Sequence, residues 1–304
     1  MRMHDCVASC QAPVREDRRR SGRRVRADRG EFDDATMNEL LVLLPLLLFC
    51  GAAAGVLAGL LGIGGGIVIV PLLYHVYAGL GVGVDLAMPL AVGTSLSTIV
   101  LTSLVSVRSH HRRGAVDWAL AGHWGPFILL GVLIGTGLAH GISGLALKRL
   151  FGGLLMAAAL HMLLTSLHTP RLADRLPARP LQALLAVLVG GLSSLLGLGG
   201  GTIGVPLLNL FSVPMHRAVA TAAVFGFTIS VPATIGYVLS GWGHTGLPTA
   251  STGYVNWLAF AALVPATMLF APLGVRLCHS LHVSQLKRAF ALFLLLVGLK
   301  MVLL

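Results

Sequence analysis

Two stretches of the sequence repeat a glycine cluster followed by a proline, and such clusters are suited to holding a small ligand. The first, GLLGIGGGIVIVPLL, covers residues 59–73, and the second, SLLGLGGGTIGVPLL, covers residues 194–208. A glycine inside a helix costs about 1 kcal/mol relative to alanine, so each cluster predicts a break between two helices. The helix that follows a break begins with free backbone N–H groups and a partial positive charge. Two such helix ends predict a site for one small anion.

The predicted anion site contains six glycines and four polar residues. They are Gly64, Gly65, Gly66, Gly199, Gly200 and Gly201, with Thr94, Thr221, Tyr74 and Asn209. The two threonines hold matching positions after the clusters, and Tyr74 and Asn209 each lie three residues beyond the motif proline. Each group has an alternative role. The glycines would allow close helix packing, the threonines would bond their own helix, and Tyr74 and Asn209 would anchor the chain at the membrane interface.

Three other glycines favour a packing role. Gly51, Gly55 and Gly59 recur at every fourth residue. This spacing puts small residues on one helix face and is typical of close contacts between membrane helices.

The titratable residues do not form a catalytic or metal-binding pattern. Beyond residue 36 the acids Asp85, Asp117 and Asp174 fall near the ends of apolar segments, which gives little support to a carboxylate proton relay. His279 and His282 are too few to complete a metal site. We therefore predict no catalytic residue, no metal site and no cofactor.

The composition identifies a membrane protein. Of 304 residues, 56% are hydrophobic and only 11% are charged, whereas soluble domains carry roughly a quarter charged residues. Apolar segments long enough to cross a bilayer recur from Leu40 to the C-terminus. The segments are uniformly apolar, which predicts an all-α, multi-pass protein of the cell membrane.

The repeated motif belongs to a longer repeat. LKRLFGGLL at 147–155 corresponds to LKRAFALFL at 286–294, in the same order as the glycine clusters and at nearly the same offset. We predict two homologous halves, 37–168 and 181–304, joined by a cytoplasmic linker at 169–180. Each half has a glycine-broken helix pair and three further helices, giving about 8–10 membrane segments. The predicted helices are 40–59, 66–80, 87–107, 118–139, 147–167, 181–197, 202–213, 216–240, 254–275 and 285–303.

The distribution of basic residues predicts the orientation of the halves. If each broken pair forms a hairpin, the loops 108–114, 169–180, 211–217 and 276–288 share one side of the membrane. Ten of the thirteen Lys and Arg residues beyond residue 36 fall in these loops. Basic loops are retained in the cytoplasm, so this arrangement predicts two halves of opposite orientation, an inverted repeat.

Residues 1–36 form a polar tail that differs sharply from the rest of the chain. It contains nine arginines and seven acids. Such a composition is typical of a disordered arm, and its lack of aromatic residues is a poor match to nucleic-acid binding. We favour the alternative, upstream sequence read in frame with Met37 as the natural start, because a first membrane segment begins cleanly there.

The doubled glycine motif in a small duplicated membrane protein resembles the sulfite exporter TauE/SafE family, also called the toluene sulfonate uptake permease family. The resemblance covers Met37 to Leu304. It implies a transporter, not an enzyme, that moves sulfite, sulfonates or related organosulfur anions across the prokaryotic cytoplasmic membrane. The expected partners are the small anion and membrane lipid; the sequence does not indicate an oligomeric state. An intramembrane enzyme and a non-transporting assembly partner are the competing hypotheses.

Overall fold

The protein folds almost entirely into apolar helices. The computed structural model describes residues 44–45, 47–56, 65–167, 176–280 and 283–303, without the side chains of 165–167, 274–280 and 283–290. The tail 1–36, Gly59, Gly64 and residues 169–175 of the linker lie outside these ranges. The described helices are α1 (Leu47–Val56), α2 (Gly66–Gly79), α3 (Val84–Arg112), α4 (Trp118–Ala139), α5 (Gly144–Leu167), α6 (Arg179–Leu196), α7 (Gly200–Leu210), α8 (Met215–Ser240), α9 (Trp257–Ser280) and α10 (Val283–Leu303).

Five of the described helices, α3, α4, α5, α6 and α8, are long and apolar enough to cross a membrane. The other apolar stretches, Leu47–Val56, Gly66–Gly79, Trp257–Leu273 and Ala291–Leu303, are shorter than a typical span of about 20 residues. The helices agree with a multi-pass membrane protein, and α2 and α7 are the short helices that follow the two glycine clusters.

Two regions differ from the sequence prediction. The segment 108–114, predicted as a loop, is helical as far as Arg112, because a helix satisfies its own backbone and can continue past the apolar span. Gly114, with φ of 63°, follows the helix end. The fold is also not purely helical. Strands β1 (Ser251–Thr252) and β2 (Val255–Asn256) pair antiparallel directly before α9, which the sequence predicts from residue 254.

The long helices α3 and α8 pack against each other in the interior. α3 also contacts α2, α5 and α9, while α8 also contacts α4 and α7. From Ala87 to Ile99 every residue of α3 is buried. The threonines predicted at the site therefore lie on the two most buried of the five described helices that are long enough to cross a membrane.

Close packing explains Gly51 and Gly55, as predicted. A Cβ on Gly51 would lie 2.8 Å from the Cβ of Ala266, and one on Gly55 would lie 2.6 Å from the carbonyl oxygen of Thr267. Cβ atoms in proteins do not approach other atoms this closely, so any residue larger than glycine would force α1 and α9 to move apart. The small residues thus let α1 approach the α9 backbone closely, which is the role expected of this spacing.

Candidate anion site

The second glycine cluster breaks the chain between α6 and α7, as predicted. Gly197 ends α6 in the left-handed conformation (φ 71°), which glycine adopts without a steric penalty. Its N–H and that of Leu198 donate to the carbonyl oxygen of Ser193, the latter at 2.9 Å. Gly199 is extended (φ −71°, ψ 154°), and α7 begins at Gly200. The cluster therefore ends one helix and starts the next within three residues.

The two glycine clusters meet, although 135 residues separate them in the sequence. Gly65 (φ 74°) precedes α2, and a Cβ on Gly66 would lie 2.5 Å from the carbonyl oxygen of Gly197. Ser95 of α3 joins them: its hydroxyl donates to that same oxygen at 2.9 Å, and its Oγ lies 3.2 Å from the Cβ position of Gly66. The start of α2 thus lies against the residue that ends α6, and the Ser95 hydroxyl contacts both.

The start of α7 has apolar surroundings. A Cβ on Gly200 would lie 2.6 Å from both the Cβ of Phe225 and the N of Gly226 on α8. Cδ2 of the Phe225 ring would lie 3.3 Å from a Cβ on Gly204. The same ring stacks on Trp124, with the ring centroids 5.4 Å apart. Gly200 therefore also makes the close helix contact that was its alternative role.

Both helix starts are buried and lack a side-chain cap among the described residues. Val68 and Ile69 both donate to the carbonyl oxygen of Gly65 at 3.1 Å. In the described part of the chain this leaves the N–H groups of Gly66 and Ile67 without an acceptor. Such groups carry the partial positive charge of a helix N-terminus. They are suited to an anion.

Ser193 adds an unpaired hydroxyl close to the break. It is fully buried, lies one turn before Gly197, and its Oγ has no hydrogen-bond partner among the described residues. A buried hydroxyl usually has a partner, since an unpaired one loses its hydration without compensation. This side chain was missed in the sequence, because a serine next to apolar residues gives no signal of its environment.

Thr94 and Thr221 make the same hydrogen bond in two places. The N–H of Asn256 donates to Thr94 Oγ1 at 3.0 Å, and the N–H of Asp117 donates to Thr221 Oγ1 at 3.1 Å. Both threonines are fully buried. Each one therefore holds the chain at the start of another helix, α9 or α4.

Asn256 and Asp117 also cap the helices that they precede. Asn256 Oδ1 accepts the N–H of Ala259, and Asp117 Oδ1 accepts the N–H of Leu120, each at 2.9 Å. An Asn or Asp three residues before a free N–H is a standard helix cap. This signal was visible in the sequence, but its link to the two threonines was not.

Tyr74 and Asn209 have different surroundings. Tyr74 is buried on α2, and the Nζ of Lys148 on α5 lies 5.1 Å from its ring centroid. Asn209 is partly exposed and donates from Nδ2 to the Sδ of Met215 at 2.9 Å. Lys148, itself only 5% exposed, was not among the predicted site residues.

No group of three or more potential metal-ligating side chains occurs among the described residues. The side chains of His279 and His282 lie outside them. The candidate site therefore consists of backbone N–H groups and hydroxyls, and Lys148 of α5 lies beside Tyr74, farther along α2.

Comparison with known proteins identifies the chain. Residues 47–301 match the model of the sulfite exporter TauE/SafE family. A probable membrane transporter protein of Haemophilus influenzae is 35% identical over 260 residues, which cover 84% of this chain and 97% of the relative. One from Methanocaldococcus jannaschii is 30% identical over 275 residues, covering 87% and 97%. No solved structure matches the chain significantly.

The match spans nearly all of the described residues, and the curated relatives are matched over almost their whole length. These relatives are named as probable membrane transporters, in agreement with a family of membrane transporters and not of enzymes. The chain is a multi-pass membrane transporter that belongs to the TauE/SafE sulfite exporter family.

Proposed function

We propose that the protein moves small sulfur-containing anions, namely sulfite, sulfonates or related organosulfur anions, across the cytoplasmic membrane. One observation carries this proposal. The N-terminus of α2 is buried, uncapped among the described residues and next to the second glycine cluster. In a transporter, such a helix end stabilises an anion near the midplane without a paired cation.

The proposed site contains the residues predicted from the sequence. Backbone N–H groups of Gly64, Gly65, Gly66, Gly199, Gly200 and Gly201 would bind the anion, with Thr94, Thr221, Tyr74 and Asn209 lining its path. The hydroxyls of Ser95 and Ser193 join this set, since Ser193 lies in the last turn of α6 and Ser95 of α3 is bonded to the carbonyl oxygen of Gly197, which follows it. A sulfur oxyanion offers several acceptor oxygens, which suits the free backbone N–H groups at the start of α2 and the unpaired Ser193 hydroxyl.

We further propose that residues 37–168 and 181–304 are inverted repeats joined by the linker 169–180. The matched hydrogen bonds Asn256–Thr94 and Asp117–Thr221 support this, because 117 and 256 differ by the offset of 139 that relates the LKR segments. Repeat-related helices also pack together, α3 with α8 and α5 with α10.

Two close glycine contacts between helices are also related by the offsets of the repeat. Gly55 packs on the backbone of Thr267, and Gly190 packs on the backbone of Ile128. Gly55 and Gly190 are related by the glycine-cluster offset of 135, while Ile128 and Thr267 are related by 139. The first helix of each half thus contacts the fourth helix of the other half. A two-fold arrangement of this kind lets one site open to either side of the membrane by rocking of the halves.

Transport in reconstituted vesicles tests the proposal. The purified protein is reconstituted into lipid vesicles, and movement of isotopically labelled sulfite, methanesulfonate and an aromatic sulfonate across the vesicle membrane is measured. A labelled, uncharged sulfone is the control. We expect saturable movement of at least one anion and none of the sulfone. Equal, non-saturable leakage of all four compounds would contradict the proposed function.

A further inference from the structure

Lys148 is a buried cation in the second turn of α5. Only 5% of its surface is exposed, and α5 is one of the helices able to cross the membrane. Among the described residues it has neither a hydrogen bond nor an ion pair. A lysine within a membrane span is expensive to desolvate, and such residues usually mark a pathway for an ion or substrate.

The contact that the structure gives Lys148 is with an aromatic ring. Its Nζ lies 5.1 Å from the ring centroid of Tyr74, a distance typical of a cation–π interaction. Tyr74 is only 6% exposed, and its ring is nearly perpendicular to that of His75, with the two centroids 5.4 Å apart. Nδ1 of His75 is within hydrogen-bond distance of the carbonyl oxygen of Pro71, at 2.7 Å. The Tyr74 ring partly replaces the lost hydration of the ammonium group but does not neutralise its charge.

The neighbouring charges do not account for Lys148. Arg149, the next residue, is exposed, so it is the one that can extend toward lipid headgroups. Asp85 lies near the start of α5, but its Oδ1 accepts the N–H of Gly144 at 2.8 Å and forms no ion pair with Lys148 in the described structure. Lys148 is therefore left without a counter-ion in the part of the chain that the structure describes.

We infer that Lys148 and Tyr74 form a second binding site for the transported anion, separate from the glycine clusters. The inference rests on the proposed function. Tyr74 lies eight residues beyond Gly66, which places this site about 12 Å along α2 from the glycine site. By the orientation of the basic loops, Lys148 is on the extracytoplasmic side. An anion on this side meets the lysine before it reaches the helix N-terminus.

Anion binding to four purified proteins tests the inference. Sulfite is titrated at constant ionic strength against the wild type, Lys148→Met, Lys148→Arg and Arg149→Met, with the anion-induced rise in Tm as readout. We expect Lys148→Met to bind roughly tenfold more weakly or worse, since it removes the charge at similar volume. Lys148→Arg should stay within about threefold of wild type, because it keeps a charge that stacks on the ring. Arg149→Met, which removes the adjacent exposed charge, should bind like the wild type.

The outcomes separate this inference from the proposed function. Wild-type transport combined with unchanged sulfite affinity in Lys148→Met would overturn the second site and leave the proposed function intact. A wild type that neither binds nor moves any sulfur anion would overturn both. If Lys148→Met does not fold, Tyr74→Leu replaces it: it removes the ring and should weaken sulfite binding roughly threefold. An unchanged affinity in Tyr74→Leu would then count against the site.

Discussion

The two glycine clusters have nearly the same sequence, but different groups contact the helix that follows each of them. At the first, the start of α2 faces the Ser95 hydroxyl and the carbonyl oxygen of Gly197. At the second, the start of α7 is covered by Phe225, with Trp124 stacked behind the ring. The position that corresponds to Ser95 in the second half is Ala222. The repeated motif thus places a short helix after each cluster, and the side chain that faces the helix start is the Ser95 hydroxyl of α3 at the first cluster and Phe225 of α8 at the second.

This difference teaches that the motif alone does not define a binding site. A glycine cluster ends a helix wherever it occurs, because the left-handed and extended conformations at the break depend on local backbone freedom. Whether the free N–H groups then meet a ligand or a phenyl ring depends on the neighbouring helix. We therefore expect the first cluster to contribute more to anion binding and the second more to packing.

The largest expected effect concerns the orientation of the halves. Reporter fusions after Arg112 and at His282, which lies between α9 and α10, should both report the cytoplasm, because the basic segments 108–114 and 276–288 are retained there. The readout is all-or-none. Reporters on opposite sides of the membrane would rule out inverted repeats, and the comparison of the two clusters would then have no symmetric basis.

Alanine at the two clusters should have different consequences. Gly65→Ala forces a side chain into the left-handed region (φ 74°), which costs about 1–2 kcal/mol and turns the first N–H groups of α2. We expect the transport rate to fall roughly tenfold while the detergent-extracted protein stays monodisperse. Gly200→Ala puts a methyl group against Phe225, and such overpacking costs about 1–3 kcal/mol, so its Tm should fall together with activity.

Gly55→Ala is the matched control for these variants, since it adds the same methyl group at a helix contact away from the clusters. It should lower Tm as Gly200→Ala does. Normal transport by both Gly65→Ala and Gly200→Ala would show that the clusters do not hold the anion.

The two buried threonines should both contribute to the stability of the protein. Thr94→Val and Thr221→Val keep the side-chain shape but remove the acceptor for the Asn256 or Asp117 N–H. An unpaired buried N–H costs about 1–3 kcal/mol, so Thr94→Val should lower the Tm, and Thr221→Val should lower it less because Asp117 is only half-buried whereas Asn256 is buried. A loss of transport at unchanged Tm in either variant would instead favour direct contact with the anion.

The smallest effect is expected from the hydroxyl that joins the clusters. Ser95→Ala removes one hydrogen bond to Gly197, worth about 1 kcal/mol, and should raise the KM for the transported anion a few-fold. Ser97→Ala is its control: Ser97 is also buried, but its hydroxyl donates to the Thr94 carbonyl oxygen of its own helix at 2.7 Å. Equal KM values for the two variants would argue against a role of Ser95 in the site.

The sequence by itself determined the features that depend on local properties of the chain. The apolar segments predicted the helices to within a few residues, and the second glycine cluster predicted the break between α6 and α7. The spacing of Gly51 and Gly55 predicted a close helix contact. These succeeded because apolar length, glycine conformation and helical spacing act within a few turns of chain.

The tertiary structure alone decided which side chains surround the breaks. Thr94 accepts a hydrogen bond from the N–H of Asn256, 162 residues away in the sequence. Lys148 lies over Tyr74 because α5 and α2 both pack against α3. In the sequence, Lys148 and Arg149 are adjacent cations at the start of an apolar helix. One is buried and the other exposed because successive residues point about 100° apart around a helix, and the face that packs against the neighbouring helices includes Lys148 but not Arg149.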